Sequence, residues 1–204
     1  MTATRCWNCG QAARQIHFCE HCGSLQPPAG DYFEYLGLPR KLQTDQVQLE
    51  KNFYSLSRRL HPDVHFGRSE RERLLAEEAT ARLNDAYRTL KIPVTRAEYL
   101  LSFYGIQKTE QKAPNAPPEL LEEVFELKIE LEQFRAGDHA AHSRLVAARA
   151  RFQDLLQEAD RALAAGFAEW DSSESPGALE EIAAILGRRN YIRNLLQEVE
   201  AALV

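Results

Sequence analysis

The sequence lacks the features on which membrane, disulfide-rich and nucleic-acid-binding proteins depend. No apolar run approaches the roughly 20 residues that a membrane-spanning helix requires. All four cysteines lie within the first 22 residues, so the rest of the chain has no means of forming disulfides. Basic residues are outnumbered, with 25 Lys and Arg against 30 Asp and Glu, and this balance argues against nucleic acid as a partner.

The start of the chain also lacks room for a targeting peptide. Residue 6 is already the first cysteine of a metal-type pair, which leaves too short a stretch before it for a signal or transit sequence. We therefore expect a cytoplasmic protein, or one of the mitochondrial matrix if the chain is eukaryotic and already processed. We expect no membrane partner.

The charge that is present is unevenly distributed. Residues 31–105 hold 12 Lys and Arg against 11 Asp and Glu, whereas residues 106–204 hold 11 against 18. A near-neutral front and an acidic rear predict two surfaces for different protein partners.

Composition divides the chain into three segments. We predict a tetracysteine module over residues 1–28, a helical domain over 31–105 and a second helical domain over 117–204, with the proline-rich residues 108–118 as a stiff linker. The predicted fold class is all-α, with a zinc knuckle or small ribbon, a helical hairpin and an antiparallel three-helix bundle.

Apolar residues in the middle segment recur at helical spacing. Over residues 49–60 they are separated by 4, 3 and 4 positions, and Thr44 is the predicted N-cap of this helix. Pro62 ends the helix, and a capping box that starts at Ser69 begins the next one. The two helices should pack as a hairpin, with a short helix over residues 32–36 closing its core.

The rear segment carries three helical patterns. The first covers residues 120–134, and a turn at Gly137 follows it. Asp138 is the predicted N-cap of the second helix, and Gly166 is predicted to end it. The third helix should begin near Ser175 and the proline after it, a residue that suits the first helical position.

The four cysteines form two pairs, Cys6-x-x-Cys9 and Cys19-x-x-Cys22. Two intervening residues allow one knuckle turn to direct two sulfurs at a single ion, and a glycine follows each pair directly, as tight turns favour. Two knuckles supply four thiolates. Because four thiolates leave no open position for a substrate, we predict a structural Zn²⁺ site.

The motif is also compatible with three alternatives to a tetracysteine zinc site. Iron in a rubredoxin-type site uses the same ligands. A redox dithiol pair of the thioredoxin type needs a βαβ context, which this segment lacks. His17 and His21 are rival ligands, but we predict that both are surface residues because the four cysteines already complete a ligand set.

A tripeptide, His61-Pro62-Asp63, lies between the two helices of the predicted hairpin. The segment opens with Asp31–Leu38 (DYFEYLGL) and closes with Leu83–Leu90 (LNDAYRTL). Together these stretches resemble a J domain. The resemblance implies docking on a heat-shock-seventy-class chaperone and stimulation of its ATP hydrolysis by the tripeptide loop and by the basic residues of the helix before it, Lys51, Arg58 and Arg59.

His61 is also a possible catalytic base. No nucleophile or oxyanion-hole pattern accompanies it, so we predict that the chain is not an enzyme.

The first rear helix has more apolar surface than one bundle core uses. Beside the core stripe runs a second line, Leu121, Phe125 and Ile129, flanked by the acidic residues Glu122 and Glu126. Exposed apolar patches rimmed by charge often bind partners. A thick core that buries both lines explains the periodicity equally well.

Further motifs narrow the resemblance from J domains in general to one type of J-domain protein. Residues 96–101 (RAEYLL), the opening Cys-Trp-Asn-Cys-Gly and residues 25–28 (LQPP) resemble HscB-type J-domain co-chaperones that carry a tetracysteine extension. That family binds an IscU-type iron–sulfur scaffold protein through its rear bundle and delivers it to the chaperone. By position, the resemblance assigns scaffold binding to Leu121, Glu122, Phe125, Glu126, Ile129 and Tyr191.

Two rival functions use some of the same features. A general J protein would hand unfolded polypeptides to the chaperone and would not prefer one folded scaffold. A zinc-ribbon nucleic-acid binder would need basic and aromatic residues interleaved in the first 30 residues, and the sequence does not provide them.

Overall fold

Most of the helices form where the apolar spacing predicts them. The structure, a computed structural model, describes residues 4–106 and 118–203, so most of the predicted linker lies outside the described residues. The chain forms two compact units, Met1–Tyr99 and Leu100–Val204. Within the described residues, strands are limited to one two-stranded ribbon, which confirms the all-α prediction. None of the described helices is long and apolar enough to cross a membrane.

The tetracysteine module contains the ribbon. Strand β1 (Thr4–Arg5) pairs antiparallel with β2 (Ala12–Ala13), so that Thr4 lies opposite Ala13. The small ribbon predicted for this segment is therefore confirmed. It holds the chain on either side of the first cysteine pair.

Three helices and a 3₁₀ turn form the hairpin domain: α1 (Tyr32–Tyr35), α2 (Gln46–Leu60), the turn Pro62–His65 and α3 (Glu70–Lys91). The apolar stripe predicted for α3 is buried, whereas in α2 only Leu49 and Leu60 are buried and the intervening Phe53 and Leu56 are half-buried. The core residues include Phe33, Tyr35, Leu49, Leu60, Leu83 and Leu90.

The cap of α2 differs from the prediction. The carboxylate of Asp45 accepts hydrogen bonds from the amides of Val47 and Gln48 at 2.9 and 3.1 Å, so Asp45 and not Thr44 is the N-cap. The Thr44 hydroxyl instead donates to the carbonyl of Lys41 at 3.3 Å. A carboxylate one residue further on reaches two free amides and also complements the positive end of the helix.

The start of α3 agrees with the prediction, but a further helix that the periodicity did not predict follows its end. The Ser69 hydroxyl accepts from the amide of Glu72 at 3.3 Å, which confirms the N-cap. Pro93 follows the end of α3 and is also the first residue of α4 (Pro93–Phe103). Buried Arg96 donates to the carbonyls of Leu42 and Leu90 at 2.8 and 2.5 Å, which satisfies an oxygen at the end of α3.

The second unit contains a three-helix bundle of α5 (Pro118–Arg135), α6 (Ala141–Ser173) and α7 (Pro176–Ala202). Ser175 precedes α7 with a proline at the first helical position, as predicted. The three helices meet in one apolar cluster, formed by Leu127, Leu131, Leu145, Phe152, Leu155, Ile192, Leu195, Leu196 and Val199.

Two expectations for α6 were wrong. The helix continues through Gly166 to Ser173, because this glycine allows α7 to approach closely: a Cβ atom there would lie 3.1 Å from Cγ1 of Ile182. Asp138 is not the N-cap either, since the helix begins after Ala140, which has no side-chain cap. The Asp138 carboxylate accepts from the Ala140 amide at 2.9 Å and orders the preceding turn.

Candidate functional site

The tripeptide His61-Pro62-Asp63 forms the exposed tip of the hairpin between α2 and α3. The side chains of His61 and Asp63 are 51% and 87% exposed. His61 has an extended backbone (φ −57°, ψ 134°), the conformation that a following proline imposes. Its Nδ1 atom accepts from the amide of Asp63 at 3.2 Å. The tip is therefore a defined turn with both polar groups in solvent.

A buried histidine anchors the tip loop, residues 61–66, to the hairpin. The side chain of His65 is buried, and its Nε2 atom donates to the carbonyl of Arg59 at 3.1 Å. Its neighbours Val64 and Phe66 are both exposed. The loop thus presents polar and apolar groups outward and one ring inward.

The predicted basic residues Lys51, Arg58 and Arg59 are all exposed on α2. Lys51 and Arg58 are seven residues apart, so two helical turns place them on the same face. The guanidinium of Arg59 lies elsewhere, 4.7 Å from the ring centre of Phe18 in the tetracysteine module. The structure therefore joins two of the three basic residues on one face and turns the third toward the module.

The four cysteine sulfurs meet in a cluster of the size that a tetrahedral metal requires. Their Sγ atoms all lie within 4.8 Å of one another, with 3.6 Å between Cys6 and Cys22 and 3.8 Å between Cys9 and Cys19. Four sulfurs around a Zn²⁺ ion at about 2.3 Å would be about 3.8 Å apart. The cluster therefore fits a tetrathiolate site.

Both knuckles have the same backbone geometry. The amide of Gly10 donates to the carbonyl of Cys6, and the amide of Gly23 donates to the carbonyl of Cys19, each at 2.9 Å. The two glycines have φ values of +72° and +71°, which other residues rarely adopt. This repeated turn is what aims two sulfurs of each pair at a common point.

Hydrogen bonds already favour the thiolate at two of the sulfurs. The Ser24 side chain lowers the pKa of the Cys22 thiol to about 6. The backbone amide of Cys9 lowers the pKa of Cys6. The Gln11 amide also lowers the pKa of Cys9, but burial and the neighbouring sulfurs outweigh it and raise that pKa to about 12. A bound cation reverses such a rise, because it stabilises every thiolate around it.

The two histidines of the module differ. His21 is exposed, as predicted, whereas His17 is half-buried. Its Nε2 atom donates to the carbonyl of Tyr35 at 2.9 Å, and its ring packs edge-on against the Tyr35 ring at 4.5 Å. The surface position predicted for His17 is therefore only partly correct, because its ring contacts the hairpin.

The second apolar line of α5 lies on the surface. Leu121, Phe125 and Ile129 are 48%, 69% and 40% exposed, while Leu127 and Leu131 on the core stripe are buried. The thick-core alternative does not hold for this helix. Both acidic neighbours, at positions 122 and 126, are exposed. Tyr191 differs from these residues: it is half-buried on α7 and packs against the bundle core.

Comparisons with known proteins agree with this arrangement. Residues 31–99 match the DnaJ domain family. A co-chaperone protein HscB homologue from Vibrio vulnificus is 35% identical over 170 residues, which cover 83% of this chain and 95% of that protein. The chain belongs to the HscB family of co-chaperones.

The likeness to HscB proteins extends over nearly the whole chain. The iron–sulfur cluster co-chaperone protein HscB of Mus musculus is 29% identical over 206 residues, covering 97% of this chain and 82% of that protein. The crystal structure of human co-chaperone protein HscB superimposes with a TM-score of 0.73 at 28% identity, covering 97% of this chain and 98% of that one. The predicted resemblance is therefore confirmed.

Proposed function

We propose that this HscB-family chain stimulates the ATPase of a heat-shock-seventy-class chaperone (HscA or DnaK class) and delivers an IscU-type iron–sulfur scaffold protein to it. The observation that carries the proposal is the exposed, hydrogen-bonded tip His61-Pro62-Asp63 at the end of the hairpin. The name of the mouse relative, which refers to iron–sulfur clusters, supports the choice of scaffold.

The tip has the chemistry of a docking element. Asp63 offers a charged acceptor that a partner cation can bind, and charge-assisted hydrogen bonds are stronger than neutral ones. Pro62 restricts the backbone, so less conformational entropy is lost when the loop binds. Lys51 and Arg58 on the preceding helix would steer an acidic chaperone surface toward the tip.

The exposed line of α5 has the chemistry of a protein-binding surface. Leu121, Phe125 and Ile129 form one apolar strip with acidic residues beside it. A buried aromatic or aliphatic anchor usually supplies most of the affinity at such a surface, and the charged rim supplies orientation. We assign scaffold binding to this strip with Glu122 and Glu126, and a supporting contact to Tyr191.

We propose Zn²⁺ as the ion of the tetracysteine site. Cys6, Cys9, Cys19 and Cys22 would hold it, and the ion would offset half of their negative charge and fix the two knuckles. Its role is structural, because a closed set of four thiolates leaves no position for a substrate.

The test of this function is capture and stimulation with purified proteins. We expect the wild-type chain to bind an IscU-type scaffold, and to raise the ATPase rate of the chaperone further when that scaffold is present. Binding to denatured polypeptides without preference for the folded scaffold would favour a general J protein. Failure to raise the ATPase rate of any heat-shock-seventy-class chaperone would contradict the proposal.

A further inference from the structure

We propose that the tetracysteine module is a clamp on the tip loop, and that Phe18 and Trp7 are the positioning residues through which metal binding stabilises that loop. This inference rests on the proposed function only in one respect, that the tip stimulates a chaperone. The clamp itself is a property of the free protein.

Phe18 makes the first contact of the clamp. It directly precedes the ligand Cys19, and its ring stacks on the ring of His65, with centroids 6.5 Å apart and planes 17° from parallel. The guanidinium of Arg59 lies 4.7 Å from the centre of the same ring. One aromatic ring of the module therefore contacts both the last turn of α2 and the inward residue of the tip loop.

His65 links the ring of Phe18 to the backbone of the tip. It is only 3% exposed and lies two residues after Asp63. Its ring donates to the carbonyl of Arg59 at 3.1 Å, and its own carbonyl accepts from the amide of Arg68 at 3.0 Å. Without the ring of Phe18 beside it, one side of this buried imidazole would lose its packing partner. The backbone around Asp63 would then be held less firmly.

Trp7 makes the second contact of the clamp. It directly follows the ligand Cys6, and its indole N–H donates to the carbonyl of Leu25 at 2.7 Å, which fixes the ring. The guanidinium of Arg71, in the first turn of α3, lies 4.5 Å from the ring centre. Each knuckle thus supplies one aromatic ring to one arginine, and the two arginines lie on the helices that precede and follow the tip loop.

His17 is a third anchor, through its hydrogen bond to the carbonyl of Tyr35 in α1. Contacts to α1, α2 and α3 fix the module against the hairpin in three places. The knuckles exist only while four thiolates share an ion, because a tetrathiolate module of this size folds on its metal. Loss of the ion therefore releases both aromatic rings.

Release of the clamp has a specific kinetic consequence. If only a fraction of the molecules has a competent loop, the apparent dissociation constant for the chaperone rises by the inverse of that fraction. The maximal stimulated rate stays the same, because every bound molecule has the competent loop. A residue needed for the stimulation itself would instead lower the maximum.

The experiment compares the full-length wild-type chain, its metal-depleted form, Phe18→Ala and Phe18→Tyr. Hydrogen exchange of the amides of Val64, Phe66 and Arg68 reports the loop directly, since each amide donates to a carbonyl of the loop. Chaperone ATPase rates give the half-saturating concentration and the maximum separately. Elemental analysis gives the metal content of each form.

We expect metal depletion and Phe18→Ala to speed exchange of these amides and to raise the half-saturating concentration, each roughly five- to tenfold, with an unchanged maximum. Phe18→Tyr keeps the ring and should behave as wild type. Phe18→Leu serves as a further variant if Phe18→Ala loses its metal, because it keeps the apolar volume and removes only the aromatic face. We expect it to lie between wild type and the metal-depleted form.

The clamp would be overturned if hydrogen exchange of these amides were unchanged after complete metal removal. It would also be overturned if Phe18→Leu and Phe18→Tyr gave the same exchange rates and half-saturating concentrations. A lowered maximum with an unchanged half-saturating concentration would also contradict it. If the wild-type chain stimulates no chaperone, the proposed function fails, while the exchange measurements on the free protein still decide whether the module holds the loop.

Discussion

The two candidate binding surfaces of this protein are constructed in different ways. In the front unit, residues His61 to Asp63 form a short polar tip whose shape depends on a proline, a 3₁₀ turn and one buried histidine. In the rear unit, Leu121, Phe125 and Ile129 form an apolar strip whose shape is that of the helix itself. The tip depends on exact side chains in one conformation, whereas the strip depends on apolar area.

This difference predicts different sensitivities to mutation. A single substitution in the tip should abolish its activity, because few groups make the contact. A single substitution in the strip should weaken binding only in part, because several neighbouring side chains share the buried area. The same contrast applies to stability, since the front unit contains a cysteine cluster that could bind a metal ion, whereas the rear bundle has a continuous apolar core.

The largest expected effect is the loss of the tetracysteine module in the front unit. Cys19→Ser removes one of four ligands and should abolish stoichiometric metal binding and the ordered signals of residues 4–26 in NMR spectra. The helices of both units should persist in circular dichroism spectra. Ordered signals from these residues in a metal-free protein would show that the module does not depend on an ion.

The next effect concerns the strip. Leu121→Ala combined with Phe125→Ala should weaken scaffold binding by about 3–5 kcal/mol, measured by calorimetry, with each single variant losing a smaller part. The thermal midpoint of the bundle should stay near that of wild type, because both side chains are exposed.

Two control variants separate binding from folding in this experiment. Val146→Ala truncates an exposed apolar residue of α6 outside the strip and should leave binding unchanged. Leu131→Ala, on the buried stripe of the same helix, should instead lower the free energy of unfolding by about 2–5 kcal/mol. If the double variant unfolds as Leu131→Ala does, the strip belongs to the core and the contrast between the two surfaces is wrong.

The smallest effect tests the packing of α1 against α3 in the front unit. Burial raises the pKa of Tyr35 to about 12, and its hydroxyl donates to the carbonyl of Ala79 at 3.1 Å. The unfolded chain ionises this group near its ordinary pKa of about 10, so the stabilisation is complete below about pH 10 and is lost as the pH rises toward the folded value.

Tyr35→Phe should therefore lower the free energy of unfolding by about 1 kcal/mol at neutral pH and reduce its decline between about pH 10 and 12. Urea titrations of both proteins at several pH values give the two quantities. An equal decline in the variant would mean that other groups cause the alkaline loss.

Much of the fold was predictable, because periodicity and caps are local properties. Ser69 and Ser175 precede helices as their sequence neighbourhoods predicted, and the apolar stripe through Leu127 and Leu131 is buried. The errors have tertiary causes. Gly166 ends helices in isolation, but here it lies inside α6 because Ile182 packs against it. The spacing does not predict the helix after Pro93, because a proline that stops one helix can also begin the next.

The candidate sites show the same division. The cysteine cluster and the exposed tip follow from motifs in which residue type and spacing determine the geometry. The contacts of Trp7, His17 and Phe18 with the hairpin do not, since no spacing rule relates a knuckle to a distant helix. An aromatic residue beside each of two ligand cysteines was the available signal.

The most direct test of the central claim is the steady-state ATPase rate of the chaperone in the presence of His61→Gln. We expect this variant to give no stimulation while its circular dichroism spectrum and its scaffold binding match those of wild type. His139→Gln, which alters an exposed histidine in the rear unit, should stimulate normally. Full stimulation by His61→Gln would contradict the account, because the exposed tip would then not be the element that activates the chaperone.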